Sequence, residues 1–321
     1  MVERFQARDV LIPYGIFLAI ILAAFLAPPL GMFVGMFTPV PLILVYLQRG
    51  KITGLVTITA VGLALLYLVG PQLAIAFIAA YGILAAAMAE ATRLSFSFEK
   101  TLLFSALAPA VLTGLVIFTG IAGKEESPLK YLENTLKEEA EEYIKVIEKS
   151  GETPENLKAI RKSVEDTAPI AARVFPSFIL ISSLVGAVIN FLAVRYLWLR
   201  FYSREYFEGM DVSRWMLPDV MVWVLIASIG SMLFGPGISQ VAGMNLAIIL
   251  LFLYFLQGLS VVTHILKTKA FPKWVWIVVF ILIPLNPIFL GLVMGMGLFD
   301  IWMDFRKIRV TPPPDSMNSV E

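Results

Sequence analysis

The chain has 321 residues, of which 59% are hydrophobic and only 15% are charged, where an average soluble chain carries about 25% charged residues. Its 25 basic and 24 acidic side chains nearly cancel, which excludes the cationic footprint of a nucleic-acid-binding protein. The absence of cysteine and the single histidine exclude a disulfide framework and a thiolate or multi-histidine metal site. We therefore expect a polytopic membrane protein that is not an enzyme and that holds no cofactor or metal.

Eight apolar runs of the sequence approach the length needed to cross about 30 Å of hydrocarbon. They are residues 10–27, 32–47, 52–69, 73–91, 102–122, 174–194, 216–234 and 241–266. A further apolar stretch, 274–305, is too long for one crossing, and Pro284 and Pro287 interrupt it around Asn286, because proline breaks a helix. The sequence thus predicts an all-α helical membrane bundle of ten crossings, or of eight crossings with a re-entrant C-terminal hairpin.

Basic loops alternate with uncharged turns along the chain. Lysine and arginine flank the start of the first run and the ends of the second, fourth, sixth and eighth runs, whereas the turns 28–31, 70–72 and 235–240 carry no charge. Basic residues near the end of a span stay in the cytoplasm. Both termini are therefore expected to be cytoplasmic, provided that the stretch 274–305 turns back near Asn286.

The longest loop, 124–167, contains 12 acidic and 8 basic residues. Its apolar residues recur every three or four positions, which indicates an amphipathic helix, and they are Leu129, Leu132, Leu136, Ala140, Tyr143 and Ile147. Ser127 and Thr153 each precede a proline and predict two helix starts, and Gly151 suits the end of the first helix. We expect an acidic extracytoplasmic hairpin, which is either a solvated lid or spacer or an element that gates the protein or docks a partner.

These features divide the chain into four predicted regions. They are an N-terminal membrane bundle of five spans (1–123), the acidic hairpin (124–167), a C-terminal membrane bundle (168–309) and a disordered cytoplasmic tail (310–321).

Five polar residues lie inside the predicted spans, where an unpaired polar group is costly, and they are Glu90, Asn190, Gln257, Asp219 and Asp300. The spacing of Asn190, Asp219 and Asp300 from the nearest cytoplasmic arginine places all three at a depth of about 7 to 9 Å. We expect these three in one layer, with Glu90 near its edge and Gln257 nearer the midplane. The layer either locks the bundle through interfacial arginines or forms a proton- or cation-responsive gate.

Small residues occupy every fourth position of the first run, from Gly15 through Ala19 and Ala23 to Ala27. Such stripes let the backbones of two helices approach closely in lipid. The stripe either packs within the chain or contacts a membrane protein partner.

Four segments carry a family resemblance, residues 37–41 (FTPVP), 215–219 (WMLPD), 254–261 (YFLQGLSV) and 297–307 (GLFDIWMDFRK). They resemble the YybS-like family of bacterial multi-pass membrane proteins, a domain of unknown function, and imply a helical bundle in the bacterial inner membrane. That family is distantly similar to the S components of energy-coupling-factor transporters, which bind vitamins or metal ions. In S components an alanine stripe on the first helix docks the coupling subunit, and Ala19, Ala23 and Ala27 match its spacing.

Two functions agree with these expectations. The first is a transport-type protein that binds a small solute in a cavity opening to the outer face beneath the acidic hairpin. The alternative is a non-transporting envelope scaffold that organises membrane partners or lipid. A transporter needs an enclosed pocket with convergent polar groups, whereas a scaffold is expected to have a solidly packed centre.

Overall fold

The computed structural model describes residues 8–27, 33–121, 124, 126–202, 206–207 and 211–308, and these ranges contain helices and no strand. The helices are α1 (Arg8–Leu26), α2 (Pro39–Arg49), α3 (Lys51–Val69), α4 (Pro71–Arg93), α5 (Phe98–Ile121), α6 (Pro128–Lys149), α7 (Pro154–Phe201), α8 (Met221–Phe234), α9 (Ile238–Thr268), α10 (Lys273–Leu285) and α11 (Pro287–Met303). The all-α prediction is confirmed for these ranges. The predicted tail 310–321 lies outside the described residues.

Five of the described helices, α3, α4, α5, α7 and α9, are long and apolar enough to cross a membrane. α10 and α11 are long and apolar enough to cross a membrane only when they are taken together. The chain bends by 104° between them, at Asn286, where the sequence predicts a turn. These helices confirm a membrane protein with several apolar helices.

The predicted runs 10–27, 32–47 and 216–234 coincide with shorter apolar helices, Leu11–Ile20, Phe33–Arg49 and Met221–Phe234. Turns shorten two of them. A turn at residues 36–38 precedes α2 and Gly50 with φ 86° follows it, so its 11 residues extend only about 16 Å. Gly235 and Pro236 limit α8 to 14 residues. The described residues therefore contain five helices of spanning length, or six with the bent pair, where the sequence predicts eight spans and a C-terminal hairpin.

The chain divides into two compact units, Met1–Gly209 and Met210–Glu321. In unit 1, α4 packs against α5, α5 packs against α7, and α2 contacts α1, α3, α4 and α7. In unit 2, α9 packs against both α8 and α11. An apolar cluster in the core of unit 2 includes Leu225, Leu250, Tyr254 and Ile301.

Glycines allow α9 and α11 of unit 2 to approach each other backbone to backbone. A Cβ atom on Gly258 would collide with the carbonyl oxygen of Val293, and one on Gly297 would collide with the carbonyl oxygen of Tyr254. Gly291, on the same helix as Gly297, has open space where a Cβ atom would be. The close contact therefore depends on two specific glycines.

The acidic hairpin of the sequence forms two packed helices. The Oγ of Ser127 accepts a hydrogen bond from the Lys130 amide, and the Oγ1 of Thr153 accepts one from the Asn156 amide, both at 3.4 Å. α6 thus begins at the first predicted start and ends before Gly151, and α7 begins at the second. The longer helix then continues for 48 residues in all, with Pro169 and Pro176 in its interior.

α6 packs against α7 along a face slightly rotated from the predicted one. Ile144 is 1% exposed, whereas Tyr143, which the spacing places on the apolar stripe, is 68% exposed. The stripe continues from Ala140 to Ile144 in a step of four, which keeps both residues on one face of a helix with 3.6 residues per turn. Leu157 of α7 is also buried, and Arg161 pairs with Glu141 across the hairpin at 3.2 Å.

Candidate functional site: polar clusters within the two units

A buried ion pair lies at the end of α11 in unit 2. The side chains of Asp300 and Arg306 are 1% and 0% exposed. The guanidinium of Arg306 donates from Nη2 and Nε to the Oδ2 of Asp300, at 2.6 and 3.1 Å. Asp304, in the left-handed conformation with φ 41°, ends the helix between them. The turn after the helix thus brings the arginine back to a carboxylate six residues earlier.

The same arginine holds the segment that precedes α8. Its Nη1 donates to the carbonyl oxygens of Ser213 at 3.1 Å and Trp215 at 2.7 Å, and to the Oγ of Ser260 at 3.0 Å. The Ser260 hydroxyl donates to the carbonyl of Val212 at 2.8 Å. Arg306 therefore connects α9, α11 and the segment 212–215 through one buried side chain.

Gln257 of α9, which is fully buried, supports the same segment. Its Oε1 accepts a hydrogen bond from the Leu217 amide at 2.9 Å, next to Pro218, which has no amide proton to donate. The Nε2 of Gln257, the Oδ1 of Asp300 and the hydroxyl of Tyr254 are buried and make no hydrogen bond within the described residues. Unit 2 therefore contains buried polar atoms whose hydrogen-bonding capacity is not fully used.

Asp211 begins this segment outside the helices. Its Oδ1 accepts from the Ser213 amide and hydroxyl at 3.1 and 2.7 Å and from the Nζ of Lys267 at 2.9 Å. Burial by itself raises the pKa of Asp211, but the hydrogen bonds from Ser213 and Lys267 outweigh it and lower the pKa to about 2. The carboxylate is therefore charged at neutral pH.

In unit 1, the carboxylate of Glu90 near the end of α4 contacts three polar side chains. It accepts from the hydroxyl of Tyr46 at 2.7 Å and from the Nζ of Lys51 at 3.1 Å, and Arg93 lies 3.6 Å away. The side chain of Glu90 is 29% exposed. Glu90 therefore joins α2, the start of α3 and the end of α4.

Asn190 of α7 is fully buried in unit 1. Its Nδ2 donates to the carbonyl oxygens of Met36 at 3.0 Å and Gly186 at 2.8 Å, whereas its Oδ1 makes no hydrogen bond within the described residues. The ring of the next residue, Phe191, contacts Phe98 at the start of α5, with centroids 5.1 Å apart. Asn190 therefore ties the segment before α2 to α7.

The predicted polar layer is distributed over the two units. Asp300 and Gln257 both support the segment before α8, and Asp219 is exposed just before that helix. Asn190 and Glu90 have separate partners within unit 1. A single coupled layer stays a prediction.

One interpretation of the polar layer in the sequence analysis pairs it with interfacial arginines, and Arg306 is the arginine nearest to Asp300 along the chain. The sequence analysis misses that Arg306 is itself buried and that it donates to two backbone carbonyl oxygens. The available signal is the six-residue spacing between Asp300 and Arg306, because a helix that ends between the two residues can turn the second side chain back onto the first.

The alanine stripe lies on and just beyond α1. Ala19 is exposed and Ala23 is half-buried. The helix ends at Leu26, so Ala27 follows it, and its amide donates to the Ala23 carbonyl at 3.0 Å. The first helix thus presents small side chains at the surface of the described chain.

Two cavities lie in unit 1, and both are essentially apolar. The larger, about 300 Å³, lies among α3, α4 and α5, and its lining includes Leu66, Ile78 and Leu112. It adjoins a π-helical turn of α4, Ile78–Gly82. The smaller, about 80 Å³, lies among α1, α2 and α3. Two of its lining residues carry a hydroxyl group, Tyr14 and Thr57, and the others are apolar. Neither cavity has the convergent polar groups that a polar solute requires.

Comparison with known proteins gives one match. The sequence model of a family described as "Predicted membrane protein (DUF2232)" matches residues 15–301, which is most of the chain. No curated protein and no solved structure matches.

Proposed function

The chain belongs to the DUF2232 family of predicted membrane proteins, and from this premise we propose that it is a non-transporting envelope scaffold that organises membrane partners. The proposal includes the predicted sidedness. Both termini lie in the cytoplasm of a bacterium, the protein spans the inner membrane an even number of times, and the α6–α7 hairpin lies on the outer side.

The length of α7 is the observation that carries this proposal. Its 48 residues extend about 72 Å, whereas crossing the hydrocarbon takes only about 30 Å. The first half of the helix therefore projects beyond the membrane, and α6 braces it through Ile144 and the Glu141–Arg161 pair. A braced stalk with a net negative surface suits the docking of a partner at a distance from the lipid.

The buried polar groups and the cavities support the same proposal. Arg306 and Asn190 direct their side-chain donors to groups within their own units, and the two cavities are lined almost entirely by apolar side chains. A polar solute would need convergent hydrogen-bonding groups around an enclosed space. The interior of unit 1 suits mechanical support better than recognition of such a solute.

The proposal is tested by photo-crosslinking from the stalk in intact membranes. A photoreactive residue at Tyr143, which is 68% exposed, is expected to crosslink to a defined membrane or envelope protein, and one at Ile144, which is 1% exposed, is the matched control. Equal crosslinking from both positions, or none from Tyr143, would contradict docking on this face.

A transport-related role that resembles an energy-coupling-factor S component is the second candidate. The exposed Ala19 and half-buried Ala23 on α1 favour it, because a coupling subunit would need an accessible stripe there. Thermal unfolding of the purified protein with a panel of vitamins and metal ions separates the candidates. A rise in melting temperature with one compound would support solute binding and contradict the scaffold.

The sidedness has its own test, since the native chain has no cysteine. A Ser319→Cys variant is expected to resist a membrane-impermeant thiol reagent in intact cells and to react after lysis. Labelling in intact cells would contradict a cytoplasmic C-terminus.

A further inference from the structure

α2 is buried to an unusual degree for a helix in a predicted span. Eight of its 11 residues are buried, and Ile43 and Leu44 have no exposed surface. By contrast, only 17% of the apolar stretch of α3 is buried, as expected for a helix that faces lipid on most sides. α2 is therefore an internal element of unit 1.

The C-terminal end of α2 is attached where the basic residues of unit 1 lie. Tyr46 donates its hydroxyl proton to Glu90, and this carboxylate also pairs with Lys51 and Arg93. Lys51 begins α3 and Arg93 ends α4. We call this place the basic end of unit 1.

The segment before α2 is attached at the same end. The Met36 carbonyl accepts from Asn190, and the neighbouring Phe191 contacts Phe98, which begins α5 five residues after the last residue of α4. A helix running along the bundle would carry Pro39, the first residue of α2, about 10 Å from Tyr46 towards the opposite end, and the turn at residues 36–38 lies before it. The two attachments instead hold Met36 and Tyr46 near the turn between α4 and α5.

From these two attachments we propose that α2 is a strap across the basic end of unit 1 and not a membrane span. The hydrogen bonds of Tyr46 and Asn190 hold the strap at its two ends, and release of both opens that end of the unit. If the N-terminus is cytoplasmic, as the proposed sidedness has it, α1 and α2 together enter and leave the membrane on one side. The contacts that define the strap do not depend on that sidedness.

Distances between pairs of spin labels test this placement in the otherwise cysteine-free chain. Phe37→Cys carries one label, and the second is at Ser97→Cys, in the turn between α4 and α5, or at Gln72→Cys, at the opposite end of α4. For a strap, the distance from residue 37 to residue 97 is shorter than that to residue 72. The reverse order would overturn the proposal. Phe33→Cys, at a site 70% exposed, repeats the measurement if the first variant does not fold.

Leu63→Cys provides the matched control on a helix of spanning length. It lies 12 residues after Lys51 in α3, as Phe37 lies 12 residues before Arg49, and its side chain is 60% exposed. Its label is expected nearer residue 72 than residue 97. A strap and a span therefore give opposite orders with the same pair of reference sites.

The two attachments are tested with a Tyr46→Phe and Asn190→Leu double variant. Its distribution of distances between residues 37 and 97 is expected to broaden, because both ends of the strap lose their hydrogen bonds. Tyr67→Phe, at a side chain 90% exposed, is the control and should leave the distribution unchanged. An unchanged distribution in the double variant would overturn the role of these two residues as attachments.

Discussion

Replacement of Arg306 by methionine tests the buried network of unit 2 directly. The substitution keeps an unbranched side chain of moderate length but removes five hydrogen bonds, two to Asp300 and one each to Ser213, Trp215 and Ser260. It leaves a buried carboxylate without its cation and the Ser213 carbonyl without its side-chain donor, whereas the Trp215 carbonyl still accepts from the Ser260 hydroxyl at 3.2 Å.

The expected loss in the free energy of unfolding follows from these contacts. Removing one partner of a buried ion pair typically costs about 3–5 kcal/mol, and we expect Arg306→Met to lower the free energy of unfolding by that amount. Asp300→Asn keeps an acceptor and the shape of the side chain, so the expected loss is smaller, about 1.5–3 kcal/mol. Lys307→Met alters an exposed neighbour and should change stability by no more than about 0.5 kcal/mol.

Reversible unfolding in mixed detergent micelles measures these differences. The Asp300→Asn and Arg306→Met double variant is expected to cost less than the sum of the two single variants, by about 0.5–3 kcal/mol, because both remove the same contact. An Arg306→Met loss equal to that of Lys307→Met, or strict additivity in the double variant, would refute the reasoning.

Gly297→Ala is expected to destabilise the protein strongly, because its methyl group would meet the Tyr254 carbonyl, whereas Gly291→Ala has open space and should be near neutral in the same unfolding assay. Asp211→Asn should lower the melting temperature relative to the wild type above pH about 4. This difference should shrink as the pH falls towards the pKa of about 2 of the folded wild type, because a carboxylate with a lowered pKa loses its stabilising contribution on protonation. Ala23→Leu should abolish co-purification of a partner at an unchanged melting temperature if the stripe docks that partner, or cost about 1–3 kcal/mol if the stripe packs within the chain. No change in either measurement would leave both roles of the stripe unsupported.

The sequence predicts helix type and helix starts well where the signal is local. Ser127 and Thr153 mark the first turns of α6 and α7, and Asn286 marks the bend between α10 and α11. A cap or a proline acts within one helical turn, so its effect can be inferred without knowledge of the neighbours.

The site and the course of α2 depend on contacts that composition and spacing do not reveal. The apolar run 32–47, of 16 residues, is equally compatible with a short span and with a buried core helix, because both environments favour the same side chains. The burial of Arg306 likewise cannot be inferred until the turn at Asp304 is known. The glycine contact between α9 and α11 involves Gly258 and Gly297, which belong to different helices and follow no common spacing.

The length of α7 has a mechanical consequence for the hairpin. On the proposed sidedness, α7 connects the hairpin outside the membrane to its membrane-embedded part through a helical stretch that contains Pro169 and Pro176. The tilt of the embedded part responds to bilayer thickness because the apolar length must match the hydrocarbon. For about 20 residues projecting some 30 Å, a change in tilt of about 10° moves the far end sideways by about 5 Å. On that sidedness, the end of α7 near Pro154 acts as a lever arm whose position over the membrane changes with the thickness of the surrounding lipid.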